Sequence, residues 1–426
     1  MFPWLTGRII GKYMCVETAL PAENQHVEER RPLRAILPYI SDYLQHIPGL
    51  TYVERVGYYR MLKEDLGIHT VRVEFKMGHL MNSDDSVNHE TRQRYLDSLR
   101  AINEAGLSNP IIYLHRPSKK MEKQAKKDPG QFYQLFRKIA QETKAICQEA
   151  GVFPQYLQVM SEINTRFQTQ FSLPLVVQMI DIADSVFSDH PQTKLMTTIL
   201  CGEIAGDWRA YTAQLVQEAR ALKAVGFDHY PGSYNNPAGI PLVGKPPHEA
   251  FADITPFKWI ASEKTKRDGI LYGKDILIAE TGVPALFKDS VIKLGENIVP
   301  LPFNEREQRY GYDIIVRELD RFLLPLEKQG SVNIFQGIGF FSAAELDPKA
   351  IGSTAPWALD ATPWTLLRQQ MQKLGKGNTY RWRKTPAAKR LKTLIETLIY
   401  PPKKSDSDDG NIPPESEGGQ EIDGNG

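Results

Sequence analysis

The stretch DILIAETGVP, from Asp275 to Pro284, places four apolar residues directly before a carboxylate, Glu280, and a Thr-Gly turn. A short apolar run bounded by turn residues is typical of a buried β-strand. A carboxylate is costly to bury unless it is paired or hydrogen-bonded. Glu280 therefore needs partners at the end of this strand, and other segments of the chain must supply them.

Runs of the same kind alternate with amphipathic stretches between about residues 50 and 375. They predict seven strands, each followed by a helix: HTVRVEF, PIIYLH, YLQVMSE, TKLMTTIL, GFDHY, DILIAE and VNIFQGIGFF. An eighth strand lies upstream, in RIIGKYMCV or in RAILPYI, and we favour RIIGKYMCV. The helix predicted after the last strand is TPWTLLRQQMQKL.

Strict alternation of strand and helix predicts a parallel sheet. Eight such units at this length favour an α/β fold of the closed (β/α)8 TIM barrel type over an open doubly wound sheet. An open nucleotide-binding sheet would need a glycine-rich phosphate turn, and neither GxGxxG nor GxxxxGK[ST] occurs. Gly337 and Gly339 lie inside the last strand pattern and indicate a packing or bulge position of the barrel.

The domain organisation follows from composition. Apolar residues make up 41% of the 426 residues and charged residues 24%, a normal globular balance. We predict a single barrel domain at residues 1–400, with its first strand within 8–41. From Ser405 onward the chain has seven acidic residues and no Lys or Arg. We therefore expect residues 401–426 to form a disordered acidic tail.

Charge and cysteine content exclude several classes of protein. The net charge of +1 gives no dense basic patch for nucleic acid. The three cysteines form neither a disulfide framework nor a CxxC motif. No apolar stretch reaches the roughly 18 residues of a membrane span, and no signal peptide is visible. The localisation stays open between the cytoplasm, a trimmed chain and non-classical export, and the oligomeric state is not predicted.

Polar residues close the predicted strands, and in a barrel of this type the active site forms at the carboxyl ends of the strands. Strand two carries both Arg72 and Glu74. Trp208, directly after strand five, is a candidate face for a sugar ring. The residues that we expect to meet at this mouth are Arg72, His115, Ser161, Glu162, Asn164, Trp208, His229, Tyr230, Glu280 and Phe341.

Two carboxylates with Arg, His and Tyr suit the hydrolysis of a glycosidic bond. One carboxyl group must protonate the leaving oxygen, and the other must be ionised to attack the anomeric carbon or to activate water. Their environments must separate the two pKa values. Arg72 and Tyr230 beside Glu280 would favour its ionised form, while Glu162 would carry the proton.

These residues resemble the clan A glycoside hydrolases, a superfamily of retaining (β/α)8 glycosidases, over about residues 50–370. The resemblance implies that Glu162, in QVMSEIN, is the acid/base, and that Glu280, in LIAETGVP, is the nucleophile. It also matches Arg72 on strand two, His115 on strand three and Tyr230 on strand six. The run NEREQRYGYD after strand seven is similar to the clan as well.

The chain departs from the clan at two positions. Most members have Asn before the acid/base Glu, where it contacts the sugar 2-hydroxyl, whereas this chain has Ser161. The clan often has Trp on strand eight, and Phe341 stands at that place. His229, beside Tyr230, is a further candidate for the sugar site.

We predict a retaining glycoside hydrolase that cleaves β-glycosidic bonds of an oligo- or polysaccharide and needs no cofactor and no metal. The main alternative is a catalytically impaired barrel that binds carbohydrate or a partner protein. A metal-dependent barrel hydrolase is a minor alternative, because the histidines show neither HxH nor HExxH spacing. A Schiff-base aldolase is disfavoured because no apolar strand ends on Lys.

Overall fold

A computed structural model shows that the chain folds as a (β/α)8 barrel. The structure describes residues 36–46, 50–115, 117–165, 171–202, 205–231, 247–283, 291–294, 297–300, 305–330, 334–340, 367–374, 377–384 and 386–399. The predicted acidic tail at 401–426 lies outside these residues, as does Phe341.

The described strands are β1 (Leu37–Asp42), β2 (Thr70–Lys76), β3 (Ile111–His115), β4 (Tyr156–Val159), β5 (Lys194–Leu200), β6 (Ala224–Asp228), β7 (Asp275–Thr281), β8 (Val291–Leu294), β9 (Asn297–Pro300), β10 (Gly337–Phe340), β11 (Leu367–Leu374) and β12 (Gly377–Lys384). Strands β1 to β7 and β10 are parallel neighbours in chain order, and β10 closes the ring against β1. The predicted eight-stranded parallel barrel is confirmed. The pairs β8–β9 and β11–β12 are antiparallel and separate from it.

The described helices are α1 (Tyr52–Leu66), α2 (Met77–Leu80), α3 (His89–Glu104), α4 (Lys119–Lys127), α5 (Pro129–Ala150), α6 (Leu173–Phe187), α7 (Trp208–Glu218), α8 (Pro247–Ala250), α9 (Thr255–Thr265), α10 (Glu305–Lys328) and α11 (Pro386–Ile399). Capping residues define both ends of α1. Thr51 and Glu54 form a capping box at its start. Gly67 ends α1 in the left-handed conformation, at a φ of 69°. Within the part of the chain that the structure describes, no helix is both long and apolar enough to cross a membrane.

The barrel interior is filled by side chains that alternate with outward-facing ones along each strand. This inner cluster consists of Tyr39, Ile111, Tyr156, Met196, Ala224, Leu277 and Ala279. The hydroxyl of Tyr39 donates a hydrogen bond to the carbonyl of Ala279 at 3.0 Å. A Cβ at Gly339 would collide with the Tyr39 ring and with that carbonyl, and the pairing of β10 with β7 shifts register at the same place. The predicted packing or bulge position is therefore confirmed.

The first barrel strand corrects our preference between the two upstream segments. It is β1, which begins inside RAILPYI and continues to Asp42, and it joins β2 to β10. RIIGKYMCV lies outside the described residues. The strand was hard to recognise because Pro38 cannot donate to the ladder. Asp42 is polar yet buried, and it accepts hydrogen bonds from Tyr58 and Tyr59 of α1, each at 2.9 Å.

The helix predicted at TPWTLLRQQMQKL is wrong for its second half. Residues 367–374 form β11, which pairs antiparallel with β12. A polar run with few apolar residues fits more than one period, so pairing with a partner strand decides its structure. The last helix of the barrel is α11, which packs against α1 and α10 and buries Leu391 and Ile395.

Candidate active site

Three residues, two on strands and one just beyond a strand, meet at the carboxyl end of the barrel. Glu280, near the end of β7, is 6% exposed, and Arg72 of β2 is 2% exposed. The Arg72 guanidinium forms an ion pair with Oε1 of Glu280. The hydroxyl of Tyr230, two residues beyond β6, donates a hydrogen bond to Oε2 of the same carboxylate. Both oxygens of Glu280 are therefore fixed, and the chain has supplied the partners that this buried carboxylate requires.

Arg72 is itself held in place on several sides. Its guanidinium lies over the ring of Tyr113, 4.6 Å from the ring centroid. Its Nη1 donates to the carbonyl of Ala279 at 3.3 Å. The Tyr113 ring stacks on the imidazole of His115 with a centroid separation of 4.7 Å. Arg72 thus sits on a rigid aromatic surface that continues to His115.

His115 lies in a second polar cluster, which is centred on Glu74. Its Nδ1 is 3.3 Å from Oε1 of Glu74. His46 contacts Oε2 of Glu74 through Nε2 at 3.1 Å, and Lys76 lies 3.6 Å from the same oxygen. Burial lowers the pKa of His46 to about 4, although Glu74 opposes the shift. His46 is therefore a neutral imidazole near neutral pH.

The roles of Glu74 and His46 were not predicted. A signal for Glu74 was present, because alternate residues of a strand share one face, and in β2 that face carries Arg72, Glu74 and Lys76. His46 gave no signal of this kind. It lies in a one-turn 3-10 helix, Leu44–His46, after β1, and β1 was itself assigned to the wrong segment.

Glu162 lies three residues beyond the end of β4, in a strained backbone. Its φ is 44°, and that of Met160 is 62°, both in the left-handed region that residues other than glycine rarely adopt. The segment is held in this conformation by its neighbours. Met160 donates to the carbonyl of Leu114 at 3.0 Å, and Ile163 donates to the carbonyl of Thr198 at 3.1 Å. Strain of this type persists where the surrounding structure imposes it, and it is concentrated at functional sites.

A hydrogen-bond chain links the Glu162 segment to the interior of the barrel. The amide of Glu162 donates to Oγ1 of Thr198 at 3.0 Å. Ser161 Oγ lies 2.8 Å from the same atom, and Thr198 donates to Oδ2 of Asp228 at 2.9 Å. Asp228 is fully buried. Burial raises its pKa well above the usual range, and the charges of Glu280 and Glu162 raise it further. Both glutamates therefore act on the same buried carboxyl group.

Two predicted sugar contacts point away from this mouth. His229 faces the helical layer, where Nε2 lies 2.7 Å from the carbonyl of Asp253. Neighbouring residues of an extended chain point to opposite sides, so His229 and Tyr230 do not share a face. Trp208 is 5% exposed and packs edge-on against Trp259 with centroids 4.9 Å apart. These contacts argue against the predicted positions of His229 and Trp208 at the sugar site.

The side chains of Asn164 and Ser161 form hydrogen bonds within the protein. The carboxamide of Asn164 donates to the carbonyl of Leu200 at 2.9 Å and accepts from the amide of Leu200 at 2.9 Å. It therefore ties the loop after β4 to the end of β5, which argues against the predicted contact with sugar. Ser161 is buried, and its hydroxyl is bonded to that of Thr198.

Solved structures with the same fold include several glycosidases. A β-glycosidase superposes with a TM-score of 0.52 at 13% identity, covering 86% of this chain and 97% of that one. A family 1 β-glucosidase from Thermotoga maritima gives 0.53 at 10% identity, covering 86% and 99%. An exo-β-1,4-mannosidase from Opitutaceae bacterium strain TAV5 gives 0.57 at 11% identity, covering 85% and 60%.

The sequence comparisons add no closer relative. No family model matches the sequence, and no curated protein matches it. At identities of 10–13% the structural similarity establishes the fold alone. The protein is thus a (β/α)8 barrel of the kind found in these glycosidases, and its activity must be inferred from its own site.

Proposed function

We propose that the protein is a retaining glycoside hydrolase that acts on β-glycosidic bonds, with Glu280 as nucleophile and Glu162 as acid/base. The observation that carries the proposal is the fixation of Glu280 by Arg72 and Tyr230 at the carboxyl end of β7. Glu162 stands at the corresponding end of β4. The barrel fold shared with solved glycosidases supports the same assignment.

The reaction proceeds by two displacements at the anomeric carbon. In the first, an oxygen of Glu280 attacks that carbon while the leaving oxygen takes the proton of Glu162, and a glycosyl ester of Glu280 forms. In the second, the ionised Glu162 removes a proton from water. The oxygen of that water attacks the same carbon and releases Glu280 as a carboxylate. Two inversions give net retention.

The neighbouring residues support these steps. Arg72 and Tyr230 orient Glu280 for attack and stabilise its negative charge when the ester is cleaved. We assign His115, which is held by Glu74 and by the Tyr113 ring, to a hydrogen bond with a sugar hydroxyl at the mouth. The mechanism requires the carboxyl groups of Glu162 and Glu280 to lie ~5–5.5 Å apart, the separation of retaining enzymes.

Ser161 favours a second candidate function, a barrel that binds carbohydrate without cleaving it. In the clan that the sequence resembles, Asn at this position contacts the sugar, whereas Ser161 uses its hydroxyl within the protein. A site without that contact would lose part of the interactions that strengthen in the transition state. The two candidates predict different outcomes in one experiment.

That experiment is a screen of aryl β-glycosides and β-linked polysaccharides with product analysis, run on the wild type and on Glu280→Gln and Glu162→Gln. A hydrolase gives product with the wild type and none with Glu280→Gln, because the carboxamide cannot attack. A binding protein migrates more slowly in an electrophoresis gel that contains the glycan, and it forms no product. Activity of Glu280→Gln equal to that of the wild type would exclude the proposed mechanism.

A further inference from the structure

We propose that Thr198 is a positioning residue, which together with Asp228 holds the acid/base Glu162 in its strained backbone conformation and so aims its carboxyl group at the leaving oxygen. This inference rests on the proposed function, because it assumes that Glu162 is the proton donor. Neither Thr198 nor Asp228 has a role in the two displacement steps themselves.

The hydroxyl of Thr198 has a partner for each of its hydrogen-bonding positions, and this fixes the direction of every bond. A hydroxyl has one proton to donate and two lone pairs that accept. The proton goes to Oδ2 of Asp228, an acceptor 2.9 Å away. The two lone pairs then accept from the amide of Glu162 at 3.0 Å and from the hydroxyl of Ser161 at 2.8 Å. A single side chain thus satisfies three polar groups, two of them in the loop after β4.

The bond to the Glu162 amide lies at the residue where the backbone is strained. With a φ of 44°, Glu162 relaxes toward an ordinary conformation unless its neighbours prevent this. Loss of the Thr198 hydroxyl removes the side-chain acceptor of this amide. A shift of about 1 Å in a catalytic group can reduce a rate by roughly a hundredfold. The placement of the carboxyl group therefore depends on Thr198.

Asp228 orients the Thr198 hydroxyl by accepting its hydrogen bond. Its surroundings are the charged groups Glu280, Glu162 and Arg72 and the phenol of Tyr39. Burial raises the pKa of Asp228 well above its usual range, and the two glutamates act in the same direction while Arg72 opposes them. Oδ2 of Asp228 accepts the hydrogen bond of the Thr198 hydroxyl at 2.9 Å and so sets the direction of that hydroxyl.

The neighbouring Thr197 provides a matched control. It lies on the same strand, β5, and is equally buried. Its hydroxyl has no hydrogen-bond partner among the described residues. Thr197→Val and Thr198→Val make the same change of shape and polarity at adjacent positions. They differ in whether the lost hydroxyl holds the Glu162 segment.

The test compares two aryl β-glycosides of one sugar that differ only in the leaving group. Phenol is a poor leaving group and needs the proton of Glu162, whereas 2,4-dinitrophenolate leaves without it. The value of kcat/KM reports the first displacement for both. We expect Thr198→Val to lower kcat/KM roughly a hundredfold for the phenyl glycoside and to leave the 2,4-dinitrophenyl glycoside almost unchanged. Thr198→Ser should restore most of the loss, and Thr197→Val should behave as the wild type.

Equal losses on both glycosides, or no loss on either, would overturn the proposal. If Thr198→Val does not fold, Thr198→Ala removes the hydroxyl without placing a new methyl group, and the same criteria apply. If the wild type forms product from no aryl β-glycoside and no polysaccharide of the screen, the proposed function fails, but the contact is still tested by hydrogen exchange at the Glu162 amide. Faster exchange in Thr198→Val than in Thr197→Val supports the positioning role, and equal exchange contradicts it.

Discussion

Arg72 of β2 and Glu280 of β7 form an ion pair that is almost completely buried at the mouth of the barrel. The two residues come from strands that are not neighbours in the sheet, so the pair ties two sides of the barrel together. Breaking a buried pair is costly because one charge then remains without compensation. This pair is the basis of the proposed mechanism and of the first prediction.

Arg72→Met should lower the free energy of unfolding by about 3–5 kcal/mol, because it leaves the Glu280 carboxylate buried without its ion-pair partner. Activity should be lost as well. Chemical denaturation measures the first effect. Arg60→Ala is the control, because Arg60 and Glu104 form a pair whose side chains are 53% and 49% exposed. Exposed pairs contribute less than about 1 kcal/mol. Similar losses in the two variants would contradict the assigned role of burial.

Comparing Tyr230→Phe with Trp208→Phe distinguishes a residue that acts in catalysis from one that packs in the protein interior. It removes the hydroxyl that donates to Glu280, and we expect kcat to fall by about 10²–10³, as for other preorganised donors. Trp208→Phe is the comparison, because Trp208 packs against Trp259 away from the mouth. It should reduce stability and leave kcat and KM within about twofold. A large rise in KM for Trp208→Phe would restore this residue to the sugar site.

The buried Asp42 predicts a dependence of stability on pH. Burial raises its pKa to about 6, against hydrogen bonds from Tyr58 and Tyr59 that lower it. A raised pKa means that the stabilising contribution is present below the unfolded value of about 3.8 and is lost as the pH rises through about 6. The difference corresponds to roughly 3 kcal/mol at most.

Asp42→Asn lacks this titration. Denaturation of the wild type and the variant at pH 4 and pH 8 should therefore show the variant gaining relative stability, by up to about 3 kcal/mol, at the higher pH. A constant difference between the two proteins across this range would show that Asp42 does not titrate in the folded state as its burial implies.

Two glycines test the packing of the barrel and of its helical layer. Gly339→Ala places a methyl group against the Tyr39 ring and the Ala279 carbonyl, and overpacking of this kind costs about 1–3 kcal/mol or more. At Gly57, inside α1, no atom lies within 4 Å of the position that a methyl group would occupy. Gly57→Ala should therefore stabilise the protein by about 0.5–1 kcal/mol through helix propensity. Thermal or chemical denaturation of both variants measures the contrast, and equal signs would contradict the packing at Gly339.

The sequence predicted the elements whose patterns are local and regular. Most apolar runs of the barrel strands, and the amphipathic helices between them, can be recognised within a short window of the sequence. Because parallel strands of a barrel end at one mouth, Arg72, Tyr230 and Glu280 could be placed together from their positions in the chain. The structure brings these three side chains into contact.

Features that depend on register and packing could not be predicted. The bonds of Thr198 to Glu162 and Asp228 depend on how β4, β5 and β6 align, which the sequence of each strand does not contain. The pairing of β6 with β7 shifts register between Phe227 and Asp228, next to His229. Trp208 begins a helix, and its direction is set by contacts with neighbouring helices and strands.

The most direct test of the central claim is to identify the residue that becomes covalently attached to sugar. The wild type is incubated with the 2-deoxy-2-fluoro β-glycoside of a sugar that it hydrolyses, and the trapped adduct is located by peptide mapping. The retaining mechanism predicts one adduct, on Glu280, and none in Glu280→Gln. An adduct on another residue, or hydrolysis that proceeds with inversion and leaves no adduct, would contradict it.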